Sequence, residues 1–228
     1  MMLDMLGLAR LLQLASPTLP VGAYSYSQGL EYAIEDGIVT DAASAEAWIR
    51  DVLDFSVGSF EAPLLWRMSY ALAQDDYLEL ARWNTLFRSG RETTELRTET
   101  LQMGHALSAL LKNLPFGSVQ ALAKLRGIGA LTYPATFAFA AHHMRVDREA
   151  ALVAYLWSWL ENQVMAALKA VPLGQNAGQR ILAGIGGDLP DAAQRATRLG
   201  DDELTNFAPG LAIASSRHET QYSRLFRS

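Results

Sequence analysis

The chain contains no cysteine. A disulfide framework and a thiolate metal site are both excluded, and bridges say nothing about its redox compartment. Charge is sparse as well: 19% of the 228 residues are charged, and the formal net charge is -5. A mildly acidic field of this kind argues against generic nucleic-acid binding. No lysine is followed by Ser or Thr, so the phosphate-binding loop ending Gly-Lys-Ser/Thr cannot be written anywhere, and Gly184-Ile185-Gly186-Gly187 does not replace it. No serine sits in a Gly-x-Ser-x-Gly elbow, which argues against a hydrolase nucleophile of that type. Long apolar runs are missing too. The most apolar stretch, 150–160, is shorter than the roughly 20 residues of a membrane span and is closed by Glu161-Asn162-Gln163, so it reads as a buried core helix. Met1-Met2-Leu3-Asp4 carries no early positive charge and Arg10 interrupts the apolar stretch behind it, a poor secretory signal that points to the cytoplasm.

What is present is core material. Half the residues are hydrophobic and no stretch resembles a linker, which favours one domain over 1–228. The stretch Ser16-Pro17-Thr18-Leu19-Pro20-Val21-Gly22-Ala23-Tyr24-Ser25-Tyr26-Ser27-Gln28-Gly29-Leu30-Glu31 organises the reading. Its prolines and glycines preclude a continuous helix through the first half, so it should be an extended lead-in segment. From Ser25, which can cap, a short helical face with Leu30 and Ile34 runs to Gly37. Its tyrosines and serines have no local His, Cys or Lys to activate a hydroxyl. Either those hydroxyls cap helix ends or the segment is a binding surface.

Helical spacing dominates the rest, and strand alternation is missing. Leu3, Leu6, Leu11 and Leu14 give a first helix ending before Ser16-Pro17. Asp41 caps a helical stretch carrying Trp48, Val52, Phe55, Leu64, Leu65 and Met68, with a break expected near Gly58. Asp75 opens another, with Tyr77, Leu80, Ala81, Asn84 and Phe87 inward. Thr93, Leu96, Thr100, Met103, Leu107 and Leu110 then follow steps of three and four, a seam for lengthwise packing. Gly104 lies beside that seam; a mid-helix glycine costs about 1 kcal/mol against alanine, so another backbone should approach it closely. Alongside runs a polar stripe of Arg88, Glu92, Glu95, Glu99 and Gln102, with Arg91 and Glu95 also at i,i+4; it reads as a solvated face, the alternative being a binding role.

Further helices are expected over 118–126, from Tyr133-Pro134 onward, from an Asp147 cap to about Ala170 as the central helix, and over 175–185, with Pro190 and Pro209 bounding a polar segment. The whole reads as an all-α, single-domain bundle of about ten helices with the extended segment and a C-terminal tail. That tail, 215–228, has too little apolar surface to fold alone: it is either disordered or ordered by a partner.

Metal ligation finds little support. His142 and His143 are adjacent, and consecutive helical side chains diverge by about 100 degrees, so they do not readily grip one ion. His105 has no carboxylate one turn away, and His218 lies in the tail beside Glu219. Any metal at His142, His143 or His218 would be weakly held or shared with a partner.

Several motifs, in order along nearly the whole chain, closely resemble the urease accessory protein family UreF. They are Leu12-Gln13-Leu14-Ala15-Ser16-Pro17, then Leu19-Pro20-Val21-Gly22-Ala23-Tyr24-Ser25-Tyr26-Ser27-Gln28-Gly29-Leu30-Glu31, Arg91-Glu92-Thr93-Thr94-Glu95-Leu96-Arg97, Val171-Pro172-Leu173-Gly174-Gln175, and Arg217-His218-Glu219-Thr220-Gln221-Tyr222-Ser223-Arg224-Leu225-Phe226. Residues 112–148 carry no matching motif. The resemblance implies an all-helical protein that forms a dimer and bridges UreD (also called UreH) to the GTPase UreG during nickel delivery to apo-urease. It implies no catalysis and no cofactor of its own, nickel and GTP being handled by the partners. It also implies a tail ordered against UreD, with Arg217, His218, Gln221, Tyr222, Arg224 and Phe226 in that role. By the same resemblance Tyr24, Glu31 and Lys169 are candidates for surfaces meeting UreD or UreG. Modulation of UreG turnover is a further expectation. The competing readings are a nickel-binding metallochaperone using His142, His143 and His218, and a helical enzyme.

Overall fold

The computed structural model describes residues 5–228; Leu3 and Asp4, at the start of the expected first helix, and the Met1-Met2 start lie outside them. Among the described residues there are eleven α-helices and no strand. Helix α1 spans Met5–Ala15 and stops before Pro17 as expected, since a residue preceding proline avoids the helical region. The lead-in segment then takes a short 3-10 turn over Ala23–Ser25 before α2, Leu30–Glu35. Ser25 does not cap α2. Gly29, at φ 80, supplies the left-handed turn into it, a conformation for which glycine has no steric cost.

Helix α3 (Ala42–Val52) begins at a capping box between Asp41 and Ser44. The expected break at Gly58 is absent: a π-helical stretch, Leu53–Glu61, joins α3 to α4 (Ala62–Ala73) in one rod. Two local features explain the widening. Pro63 has no N–H to give the preceding turn, and the Ser59 carbonyl accepts from Thr205 N instead. Gly58 closes on the Leu53 carbonyl five residues back, where a Cβ would sit 2.8 Å from that oxygen. Phe55, on this stretch, points to solvent.

Helix α5 (Tyr77–Ser89) is capped by Asp76, one residue later than expected, because Asp75 takes a positive φ of 55 at the turn. Leu80, Asn84 and Phe87 face inward with Trp83, while Tyr77 and Ala81 are half-buried. Helix α6 (Thr94–Leu111) buries Leu96, Thr100, Met103 and Leu107 along the expected seam, and its Gly104 lies against the 131–132 backbone. Helix α7 (Val119–Gly127) is capped by Ser118. Helix α8 (Tyr133–His143) buries Ala135, Ala138, Ala140 and Ala141, small residues that let α4 and α6 pack closely on it. Asp147 accepts from Glu149 N and Ala150 N at the start of α9 (Arg148–Ala170), the central helix, which touches α1, α2, α3, α4, α8 and α10.

The segment after Pro172 is not two pieces. Helix α10 runs unbroken over Gln175–Arg198 with Pro190 inside it. An interior proline costs about 3 kcal/mol. The stripe of Ile181, Ile185, Leu189, Ala192, Ala193 and Ala196 is buried on both sides of it and offsets that loss. Helix α11 (Pro209–His218) follows, so the expected tail starts inside a helix. Residues 219–228 fold back on their own chain, the outcome neither tail reading contained: backbone donors of Ser27 and Gln28 meet the Ser228 backbone oxygen, and Arg227 N donates to Ser25 O at 2.8 Å.

Candidate functional site

The polar stripe before and along α6 is a solvated face only in part: Glu92 and Gln102 are exposed, Arg88 and Glu95 are half-buried and Glu99 is buried. The chain end reaches Glu95 and Glu99, and Arg91 and Glu99 are 4% and 5% exposed. Arg91 precedes the Thr93 cap and so stands outside the helix; the expected Arg91–Glu95 spacing is never realised. Its guanidinium instead pairs with Glu61 from the π stretch and stacks over Phe87, 4.3 Å from the ring centroid. Burial works against the Arg91 charge, but the Glu61 carboxylate outweighs it and holds the group firmly protonated. Tyr155 Oη donates to Glu61 at 2.9 Å, and burial with that carboxylate pushes the phenol well above its usual range.

Gln28 ties this core to the lead-in segment. Its Nε2 donates to Glu99 Oε1 at 2.7 Å, and its Oε1 accepts from Trp159 Nε1 at 2.8 Å. Glu99 also accepts from Ser228 Oγ at 3.0 Å. Burial pushes its carboxyl up to about 7, although those hydrogen bonds and Arg91 favour the charged form. Gln28, Glu61, Arg91, Glu99, Thr100 and Tyr155 border a cavity of about 60 Å³, polar enough for ordered water.

The second part of the site is the clasp around α11. His218 is fully buried; Nδ1 lies 2.7 Å from Glu95 Oε2 and Nε2 lies 3.1 Å from Glu31 Oε2. Glu31 also accepts from Leu225 N at 2.6 Å and Phe226 N at 3.0 Å. Arg224 Nη1 donates to Glu95 Oε1 at 2.8 Å. A carboxylate in the first turn of α2 thus holds the backbone of the chain end, a place where negative charge is favoured. Phe226 is buried at 6% exposure, and Lys169 Nζ lies 5.5 Å from its ring and 5.9 Å from that of Tyr24.

The expected site residues therefore fall into two groups. Glu31, His218, Arg224 and Phe226 meet in the clasp, while Tyr24 and Lys169 edge it. Arg217 and Tyr222 are exposed, and Gln221 turns inward with Nε2 donating to Ser223 O at 3.0 Å. Glu31, His218 and Phe226 are closed off while the segment is docked. His142 and His143 sit apart at the end of α8, their rings edge to face at 5.0 Å, and His143 packs on Phe139; burial, then His142, pulls the His143 imidazole below its ordinary value. Among the described residues no group of three or more His, Asp or Glu side chains could hold a metal ion. Both ring nitrogens of His218 already face carboxylates. Gln28, Ser27 and Ser228 are not marked out as site residues by sequence, and Glu95 and Glu99 stand out there only as members of the polar stripe, for which a binding role is the alternative.

A family model, UreF, matches residues 39–186. Three relatives, each described as "Urease accessory protein UreF", extend the likeness to nearly the whole chain. That of Azoarcus sp. (strain BH72) is 55% identical over 226 residues, 98% of this chain and 97% of its own. That of Dechloromonas aromatica (strain RCB) is 51% identical over 224 residues, 98% of each chain. The relative from Janthinobacterium sp. (strain Marseille) is 49% identical over 221 residues, 97% of this chain and 98% of its own. This chain belongs to the UreF family of urease accessory proteins. The UreF model begins at 39 and ends at 186, so the lead-in segment and chain end that build the clasp lie outside the family match and are covered by the full-length relatives instead. No helix among the described residues is long and apolar enough to cross a membrane.

Proposed function

We propose that this UreF-family chain is a urease accessory scaffold that performs no chemistry itself. It bridges UreD (UreH) and the GTPase UreG to apo-urease during nickel insertion, as a dimer within the complex and in the cytoplasm. Nickel is cargo and GTP is the partner's nucleotide. Holding both partners against urease replaces sequential encounters with local ones at raised effective concentration. Support comes from the family membership and from a sequence that cannot write a Gly-Lys-Ser/Thr loop.

The observation that carries the reading is the strip where Lys169 lies between exposed Tyr24 and Phe226, on a chain-end segment that also exposes Tyr222 and Leu225. Exposed aromatics beside a cation are what a partner's pocket and rim engage. Arg217, His218, Gln221, Tyr222, Arg224 and Phe226 are assigned to UreD, and Tyr24, Glu31 and Lys169 to surfaces meeting UreD or UreG. We include in this reading an influence on UreG nucleotide turnover. Co-purification with UreD, UreG and urease, with and without GTP, tests it, and hydrolysis by UreG is followed in the same samples. A stable assembly that needs this chain is expected. Urease matured without it, or a chain that captures neither partner, overturns the reading.

A further inference from the structure

Helix α6 carries a second polar face in its C-terminal half. His105, Ser108 and Lys112 follow steps of three and four, so they lie along one side of the helix. With Arg126 from the last turn of α7 and the 129–131 turn they border an open groove of about 360 Å³. That is the size of a small-ligand pocket. Leu101 and Leu131 add apolar wall, and among the described residues no carboxylate lines it.

The polar groups of this groove are unanswered within the chain. Lys112, Arg126 and His105 are exposed, and their side chains make no ion pair or hydrogen bond among the described residues. Lys124, on the same helix as Arg126, is by contrast held by Asp75 at 2.7 Å. Ser108 is only 7% exposed, yet its hydroxyl bonds to nothing among the described residues, not even the helix carbonyl one turn back. Buried hydroxyls are ordinarily partnered. In a chain of net charge -5, uncompensated cations around one groove make a local positive field.

Helix ends account for part of this. Lys112 and Arg126 stand at the C-terminal ends of α6 and α7, where a cation is favoured. That explains neither Ser108 nor His105, which lie within the helix body. The terminal carbonyls are already engaged: Ala109 O accepts from Lys112 N, Leu110 O from Asn113 N and Arg126 O from Gly129 N. The facing wall is fixed in advance, since Asn84 Nδ2 donates to Ala130 O at 2.9 Å and Asn84 Oδ1 accepts from Thr132 N at 2.9 Å. A wall that needs no ordering lowers the cost of binding.

We propose that this groove binds the phosphate group of a small ligand, with Lys112 and Arg126 answering its charge and the Ser108 hydroxyl and His105 ring donating to its oxygens. A phosphate carries nearly two charges and three acceptor oxygens and can engage the whole set; a carboxylate, with one charge and two oxygens, leaves part of it idle. Among the described residues no Phe, Tyr or Trp lines the groove to stack a nucleobase. The site is independent of the scaffold reading.

Proton–nitrogen correlation spectra of the full chain, titrated in phosphate-free buffer at fixed ionic strength, test it. Inorganic phosphate and glycerol phosphate should each shift the 105–112 and 126–131 amides saturably. Equal shifts with sodium chloride or acetate in their place overturn the proposal. Tighter binding of glycerol phosphate supports an organic ester seated on the apolar wall, and equal or weaker binding supports free phosphate as the ligand. Lys112→Gln and Arg126→Gln should each weaken phosphate binding by about tenfold, as loss of a charge-assisted hydrogen bond does. Ser108→Ala should weaken it too while leaving the melting temperature of the unliganded chain unchanged. A lowered melting temperature with unaltered phosphate binding assigns that hydroxyl to the fold and counts against the site, and affinities that none of the three substitutions moves overturn it.

Discussion

Gly104 faces the backbone of Leu131 so closely that a Cβ on it would lie 2.3 Å from the Leu131 carbonyl oxygen and 2.7 Å from Thr132 C. The start of α8 therefore lies directly on α6, and Thr100 Oγ1 accepts from Tyr133 N at 3.0 Å one turn away. Helix propensity alone would favour alanine here by about 1 kcal/mol. Close packing reverses the sign, because the obstructing atoms are backbone and cannot swing aside. Gly104→Ala is expected to destabilise the fold by about 1–3 kcal/mol, read as a lowered midpoint in urea; a raised midpoint would show that the 131–132 segment yields.

Arg91 and Glu61 are both buried, and each is the other's principal counter-charge. Arg91→Met leaves Glu61 with only the Tyr155 hydroxyl, and unfolding should become easier by about 3–5 kcal/mol. Replacing both, Arg91→Met with Glu61→Leu, should recover most of that loss, since the penalty is the orphaned charge rather than the missing attraction. Denaturation of the four forms measures the coupling. Additive losses would show that the pair does not act as one.

Glu99 gives the fold a pH dependence of definite sign. Its carboxyl is raised in the folded chain to about 7 from an ordinary 4.5 by burial. The folded state therefore binds the proton more tightly than the unfolded one. That contribution is fully present below pH 4.5 and is lost as pH rises through about 7. Glu99→Gln should flatten the decline in unfolding free energy between those limits. A variant that keeps the full decline would assign it elsewhere.

Because α11 buries Ser215 and His218, the segment that can be removed without opening the body begins at 219. Deleting 219–228 should leave far-ultraviolet helicity nearly unchanged and end co-purification with UreD. Retention of UreD by the shortened chain would refute the partner role of that segment. Deletion from 215, by contrast, should also lower the melting temperature, since it removes the Thr93–Ser215 and Glu31–His218 contacts.

Lys169 is exposed and makes no ion pair among the described residues, its ammonium lying 5.9 Å and 5.5 Å from the centroids of the Tyr24 and Phe226 rings. Lys169→Ala should change stability by no more than about 0.5 kcal/mol, as surface substitutions usually do, and should weaken capture of UreD or UreG. A fall in melting temperature with unchanged capture would assign Lys169 to the fold instead.

Most helices were legible because the features that make them are local. The Asp41 and Asp147 caps, the α6 seam and the α9 core pattern each depend on residues a few positions apart. Pro190 and Gly58 misled for the complementary reason: residues that break an isolated helix persist where tertiary burial or a remote donor, here Thr205 N on the Ser59 carbonyl, makes up the loss. The site residues were reached only through the family resemblance. Glu31, His218, Arg224 and Phe226 enter on that ground, and the partners they meet lie 123 to 195 positions away.

By itself the sequence determined an all-helical chain without thiol chemistry or a phosphate loop of the Gly-Lys-Ser/Thr kind, because periodicity, caps and missing residue types are properties of short windows. Only the tertiary structure decided that Glu99, on the polar stripe of α6, is buried and that residues 219–228 reach it and Glu95. A carboxylate looks the same in sequence whether water or a distant histidine answers its charge; which of the two does so is fixed by long-range packing.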